Sequence, residues 1–204
     1  VLVIYRKGKI PLISFYEANH RDYFKSTAGL NPSPFLTPLA KRLPPGATIL
    51  DVGCGSGRDL RWLANQGFKP TGFELSPSLA RLAEDFSGQP VIQGDFTTYD
   101  FSTLRFDALL LIGALVHVRH DEFASVLLHI CRALREKGLV NLSMKEGDGQ
   151  YTSHDGRVFS LWEPEHLDEV LHANGFEALD FKRASSALHT KDVWLTYILQ
   201  KPGA

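Results

Sequence analysis

The chain has 204 residues, 44% of them apolar, and a formal net charge of −1. These values suit one globular domain with a sizeable core. They argue against strong non-specific nucleic-acid binding, and no apolar run approaches the ~18 residues of a membrane span. Two cysteines make no disulfide framework. Cys54 and Cys131 are therefore expected as free thiols in a reducing, cytoplasmic setting.

Residues 1–13 read as a short strand or an unstructured lead-in. Their apolar start precedes Arg6, Lys7 and Lys9, the reverse of a signal peptide. In residues 14–30, Tyr16, Asn19 and Tyr23 fall near one helical face. Asn31-Pro32-Ser33-Pro34 signals a helix start with Ser33 as N-cap. Phe35, Leu36, Leu39 and Leu43 give that helix an apolar face, which Pro38 weakens.

Ile49, Leu50 and Val52 make a buried strand that runs into Gly53-Cys54-Gly55-Ser56-Gly57. Glycine there allows positive φ and close approach of a ligand to the backbone. The next helix carries Leu60, Leu63 and Ala64 on one face. Its first turn offers free N–H groups to an anion. Lys69 to Phe73 is a second strand with Glu74 at its tip, where a parallel α/β sheet holds a ribose diol. Ser76-Pro77 opens a third helix. Val91-Ile92 is a short strand ended by Gly94-Asp95-Phe96.

Phe106 to Ile112 is an apolar run but for Asp107, which suits a central strand covered on both faces. From Asp121, apolar residues recur at helical spacing through Leu134, and Gly138 is the predicted stop, with Arg135 and Lys137 near the negative end. Leu139 to Met144 is a fifth strand, and residues 145–160 form a polar excursion. Pro164 opens a helix capped by Asn174-Gly175. Phe176 to Phe181 and Val193 to Leu199 are the final strands. Only about ten residues join them, too few for a helical crossover, so they are predicted to be antiparallel neighbours. The alternation over residues 48–144 predicts a parallel sheet with right-handed crossovers.

The run Asp51 to Gly57, Glu74 at the second strand tip and Gly94-Asp95-Phe96 after the third resemble the class I S-adenosylmethionine-dependent methyltransferases over about residues 30–200. The resemblance implies an α/β three-layer sandwich. Its sheet is seven-stranded and mostly parallel, in the order 3-2-1-4-5-7-6 with strand 7 antiparallel and helices on both faces. Residues 1–30 would be lead-in and lid, and residues 31–204 a single methyltransferase domain. S-adenosyl-L-methionine would be the cofactor, S-adenosyl-L-homocysteine its product, and no metal is expected.

On the donor side, the resemblance implies that Gly53, Cys54, Gly55 and Gly57 pack against the amino-acid tail. Asp51 orients the α-amino group, Arg58 pairs with the carboxylate, and Glu74 accepts the ribose hydroxyls. Leu75 and Phe96 touch the adenine, Asp95 accepts its amino group, and Gly113 completes the set. On the acceptor side, Ala114 to Val118 lacks the Asn/Asp-Pro-Pro-Tyr that amino-methylating enzymes of nucleic acid and protein often carry. It is more similar to small-molecule O-, C- or N-methyltransferases. His117 and Tyr23 are the catalytic candidates, although His117 reads equally as a packed or helix-capping histidine. Tyr16, Asn19, Lys145, Glu146 and Arg157 are substrate candidates. Tyr16, Asn19 and Tyr23 would form a lid, and Trp62 and Trp194 read as structural. The expected partner is a small-molecule acceptor, with no membrane.

Three other readings compete. A nicotinamide-dependent dehydrogenase shares the strand-glycine-helix-strand-acid layout. Here, however, the spacing is G-x-G-x-G rather than G-x-G-x-x-G, and the Tyr5–Lys9 pair precedes the first core strand. Gly55 to Leu60 and the excursion also resemble enzymes that methylate the carboxymethyl group of tRNA wobble uridine, without a clear basic run to hold the nucleic acid. A domain that binds the cofactor without transferring its methyl would keep the same glycines and acid. His166 and His172 lie six apart, which is not the spacing of a helical zinc pair.

Overall fold

The computed structural model describes residues 12–188 and 190–201. The lead-in of residues 1–11, with its Tyr5–Lys9 pair, and His189 lie outside the described residues. β1 (Thr48–Val52) pairs in parallel with β2 (Lys69–Glu74) on one edge and with β4 (Phe106–Ile112) on the other. β3 (Val91–Gln93) extends the sheet beyond β2, and β5 (Leu134–Glu146) extends it beyond β4, both in parallel. β9 (Val193–Gln200) runs antiparallel to β5, and β8 (Glu177–Ser185) antiparallel to β9. These seven strands reproduce the predicted order, including its antiparallel member.

The sheet has nine strands rather than seven. The extra two, β6 (Gln150–Thr152) and β7 (Val158–Trp162), form an antiparallel hairpin inside the polar excursion. β5 outruns β4, and Lys145 and Glu146 pair with Leu161 and Trp162. The other edge of Lys145 is already taken by Trp194 of β9, so the hairpin fills the edge that β4 leaves vacant.

Two cores separate the layers. Side chains alternate across a strand, and β4 shows the result directly. Leu109 and Leu111 join Leu50, Phe73, Phe123, Leu127 and Leu167 on one face. Ala108 and Leu110 join Leu36, Leu39, Ile49 and Leu63 on the other. The first face is covered by α6 (His120–Ile130) and α7 (Pro164–Ala173), the second by α3 (Ser33–Ala40) and α4 (Arg58–Asn65). Each fully buried leucine contributes roughly 1.5–3 kcal/mol, which is why β4 reads as an unbroken apolar run from Ala108 to Ile112. α5 (Pro77–Ser87) starts as predicted, with Ser76 Oγ accepting from the Leu79 N–H at 3.2 Å.

Two predicted elements differ. The sixth helix ends at Ile130, not Leu134. Cys131–Ala133 make a single 3-10 turn, and Leu134 already pairs with Phe106. The register shifts before Leu139, and Lys137 takes φ 57° in the bulge. A Cβ on Gly138 would lie 2.6 Å from the Leu134 side chain, so this glycine serves the bulged strand rather than a helix end. The aromatic N-terminal segment is likewise two short helices, α1 (Leu12–Ala18) and α2 (His20–Thr27), separated at Asn19 with φ −110° and ψ 14°. Among the described residues, no helix is long and apolar enough to cross a membrane.

Candidate active site

Parallel strands bring the ends of β1, β2 and β4 to one edge of the sheet, where α/β proteins of this kind bind ligands. Glu74 is buried there. Its Oε2 accepts from the Gly55 N–H at 3.0 Å, and its Oε1 from the Ser76 N–H at 2.9 Å. Burial raises its pKa against these two hydrogen bonds. Two backbone donors thus fix the carboxylate while leaving lone pairs for a diol.

Asp51 is also buried, and its Oδ2 has no hydrogen-bond partner. Burial, followed by the charges of Asp59 and Glu74, pushes its pKa well up. A carboxylate left this way beside a glycine turn fits an ammonium group, so the residues present suit an amino-acid tail. Two glycines show why the turn needs them. Gly57 at φ 74° would place a Cβ 2.8 Å from the Ala83 carbonyl oxygen, and Gly55 at φ 54° would place one 2.9 Å from Tyr23 Cε1. The Tyr23 ring therefore lies directly on the turn. Burial raises the pKa of Tyr23 and that of the Cys54 thiol, so both stay protonated.

The remaining donor candidates have partners of their own. Arg58 is bidentate to Asp59 at 2.6 and 2.9 Å and lies 5.1 Å from the Phe35 ring centre. Asp95 is exposed, and its Oδ1 accepts from the Thr97 N–H and hydroxyl at 2.8 and 2.7 Å, forming a turn. Leu75 and Phe96 are half-buried, and Phe96 packs against the core. A Cβ on Gly113 would sit 3.2 Å from the Trp194 ring. Trp194 therefore packs directly over Gly113 and leaves no room for a side chain there.

The acceptor side centres on His117. Its Nδ1 lies 2.6 Å from the Val158 carbonyl oxygen. A carbonyl can only accept, so Nδ1 carries the hydrogen and Nε2 is the acceptor. Tyr16 O–H donates to that Nε2 at 3.1 Å. Burial lowers the His117 pKa to about 4, keeping the ring neutral. Tyr23 meets Tyr16 edge-on, with ring centres 5.3 Å apart. Arg157 pairs with Asp155 at 2.7 Å, donates to the Tyr16 hydroxyl at 3.5 Å and stacks 4.5 Å from the Phe15 ring centre.

Lys145 Nζ pairs with Asp192 at 2.9 Å and lies 4.2 Å over the Phe159 ring. Glu146 is held by Arg183 at 2.5 Å. A cavity of about 520 Å³ opens among Lys145, Asp155, Arg157, Phe159, Arg183 and Asp192. Asn19 does not join this group. It is exposed, and its amide donates back to the Phe15 carbonyl at 2.8 Å, because the chain breaks helix there. Asp192 and Glu17 were not anticipated. Among the described residues there is no cluster of three or more His, Cys, Asp or Glu able to hold a metal ion.

Comparison with known proteins agrees with this geometry. The methyltransferase-domain family matches residues 24–180. The uncharacterized protein MJ1252 of Methanocaldococcus jannaschii is 28% identical over 163 residues, which cover 79% of this chain and 54% of that protein. The ubiquinone biosynthesis O-methyltransferase of Xanthomonas axonopodis pv. citri is 29% identical over 120 residues, 56% of this chain and 49% of that enzyme. The chain thus spans about half the length of these relatives. The crystal structure of Burkholderia thailandensis 1,6-didemethyltoxoflavin-N1-methyltransferase, with bound 1,6-didemethyltoxoflavin and S-adenosylhomocysteine, superposes with a TM-score of 0.78. It is 26% identical, and the match covers 94% of this chain and 87% of that one. The family match extends over most of the chain, including the glycine turn, Glu74 and Asp95, and on it the chain belongs to the methyltransferase-domain family, the class I S-adenosylmethionine-dependent methyltransferases.

Proposed function

We propose that this protein methylates an acidic O–H or N–H group of a flat, polar small molecule seated beside Phe159. The observation that carries this reading is the surroundings of that ring. The Lys145 ammonium lies 4.2 Å from its centre, the His117 ring 4.6 Å and the Arg157 guanidinium 5.3 Å, and Tyr151 stacks at 25°. The Phe159 ring is itself buried under these groups, so the acceptor would meet the cations and the Tyr151 ring that line the cavity around it. The named relatives support a small-molecule acceptor, through a ubiquinone-pathway O-methyltransferase and a didemethyltoxoflavin N1-methyltransferase.

S-adenosylmethionine supplies a methyl group already activated by its sulfonium. The chain's own task is then to align and to remove a proton. Asp51 would hold the amino group and Glu74 the ribose. Tyr23, lying on Gly55, and Tyr16, edge-on to it, would keep water from the reacting atoms. An acceptor hydrogen-bonded to the Tyr16 oxygen would give its proton there while Tyr16 passes its own to His117 Nε2. With a His117 pKa of about 4, this pair is a weak base, suited to a phenol or heterocyclic N–H and not to an alkyl alcohol.

Labelled S-adenosylmethionine offered with phenols, N-heterocycles, aliphatic alcohols and tRNA tests the reading. Label is expected in the first two classes. Transfer confined to aliphatic alcohols would overturn it, as would transfer to tRNA with strong salt dependence.

A further inference from the structure

We propose that Glu17 is a positioning residue that latches the lid onto the donor site, although it touches neither donor nor acceptor. The inference rests on Glu74 being the ribose-binding carboxylate. Glu17 follows Tyr16 on α1. Its Oε2 accepts from Ser76 Oγ at 2.6 Å and from the Ser78 N–H at 3.2 Å, and its Oε1 accepts from the Ser78 hydroxyl. All three donors belong to the start of α5, an 11-residue helix whose N-terminal dipole favours an anion. A carboxylate from the lid therefore sits where a helix needs negative charge.

Ser76 links this contact to the donor site. It is fully buried. Its N–H donates to Glu74 Oε1, its Oγ accepts from the Leu79 N–H, and its hydroxyl hydrogen goes to Glu17. One residue thus holds the ribose candidate and the lid at once. The lid is also fastened through rings: Tyr16 to His117, Tyr23 on Gly55, Phe15 under Arg157, and Phe24 edge-on to Phe86 of α5. Those contacts set how the lid aromatics face the cleft, whereas Glu17 supplies the charged anchor on the opposite helix. The serine pair Ser76 and Ser78, flanking Pro77, suits the role because each hydroxyl can reach the same carboxylate.

Coupling between sites is reciprocal. A latch that favours donor binding must itself be strengthened by the donor to the same factor. The donor is therefore expected to slow amide hydrogen exchange over residues 12–27, and removal of the latch to weaken the donor.

The test combines hydrogen exchange with calorimetric titration of S-adenosylhomocysteine, on wild type, Glu17→Ala and Glu17→Gln. For Glu17→Ala the expected result is loss of protection over residues 12–27, with β1, β4 and β5 exchanging as in wild type. Affinity for S-adenosylhomocysteine falls roughly tenfold. Glu17→Gln, which keeps an acceptor oxygen but loses the charge, falls between. Variants that match wild type in both lid protection and affinity overturn the latch. So does a loss of protection spread over the whole sheet, which marks a general structural role. Wild type that fails to bind S-adenosylhomocysteine overturns the donor site and the coupling with it.

Discussion

In the proposed site the donor half would come from one run of chain, residues 51–95, where backbone groups hold the Glu74 carboxylate. The Gly55 and Ser76 amides fix Glu74 without help from another side chain. The acceptor half would gather Phe15, Tyr16, His117 and residues 145–162 and 183–194, and there side chains hold side chains: Tyr16 with His117, Lys145 with Asp192, Glu146 with Arg183. Glu17 and Tyr23, also in the lid, instead touch the donor half. A site built on backbone amides next to a strand end is fixed as soon as the sheet forms. A site built from ion pairs and rings can change partners without altering the strand pairing of the sheet. The same scaffold can therefore keep its donor while its acceptor changes.

Several substitutions would break or sharpen this contrast. The largest effect is expected at Glu74. Glu74→Ala removes the ribose acceptor and leaves two buried N–H groups without a partner. Charge-assisted hydrogen bonds contribute about 1.5–3 kcal/mol each, so S-adenosylhomocysteine should bind at least about 100-fold more weakly. Its addition should no longer raise the melting temperature. A shift equal to that of wild type would erase the distinction between the halves.

Next comes pH. Burial holds the folded pKa of His117 at about 4, against about 6.5 unfolded. Between those values the unfolded chain binds more protons, so stability should fall as pH drops from about 6.5 and level off below about 4. The loss is at most about 3 kcal/mol. Denaturant titrations of wild type and His117→Gln measure it, and the variant should lose that part of the slope. Equal slopes would mean that the imidazole is not held neutral.

Tyr16→Phe should slow methyl transfer about tenfold or more by removing the phenolic relay. Single-turnover rates on an acceptor found by the label screen would show it, and an unchanged rate would remove Tyr16 from the chemistry. The smallest change is expected at Asp95. Its carboxylate already serves a turn, so Asp95→Asn should weaken S-adenosylhomocysteine by roughly threefold or less, the loss of one exposed hydrogen bond.

The contrast also explains what could be read in the sequence. Gly53 to Gly57 and Glu74 stand at spacings that a strand, a turn and a helix impose locally, so their convergence at the sheet edge was legible. The apolar run Ala108–Ile112 of β4 was legible because burial on both faces leaves no polar position there; the strand's one charge, Asp107, sits at its start. The short connection before Val193 gave away the antiparallel pair. Where partners are remote, the signal faded. Glu17 finds Ser76 and Ser78 59 and 61 residues away, and nothing near it in sequence marks that contact. β6 is short and exposed, and β7, though apolar, pairs with the overhanging end of β5, a partner its own sequence does not mark. Cys131 and Leu134 keep helical spacing, yet pairing of Leu134 with Phe106 takes that residue into the sheet. Asn19 fell on the right face only if the helix ran on, and it does not.

Titrating S-adenosylhomocysteine calorimetrically into wild type, Glu74→Ala and Tyr16→Phe tests most directly the claim that the donor half stands apart from the acceptor half. The predicted result is binding by wild type, a loss of at least about 100-fold for Glu74→Ala, and a change within about threefold for Tyr16→Phe, whose hydroxyl bonds His117 and Arg157 and none of the donor candidates. Equal losses in the two variants, or none in Glu74→Ala, would contradict it.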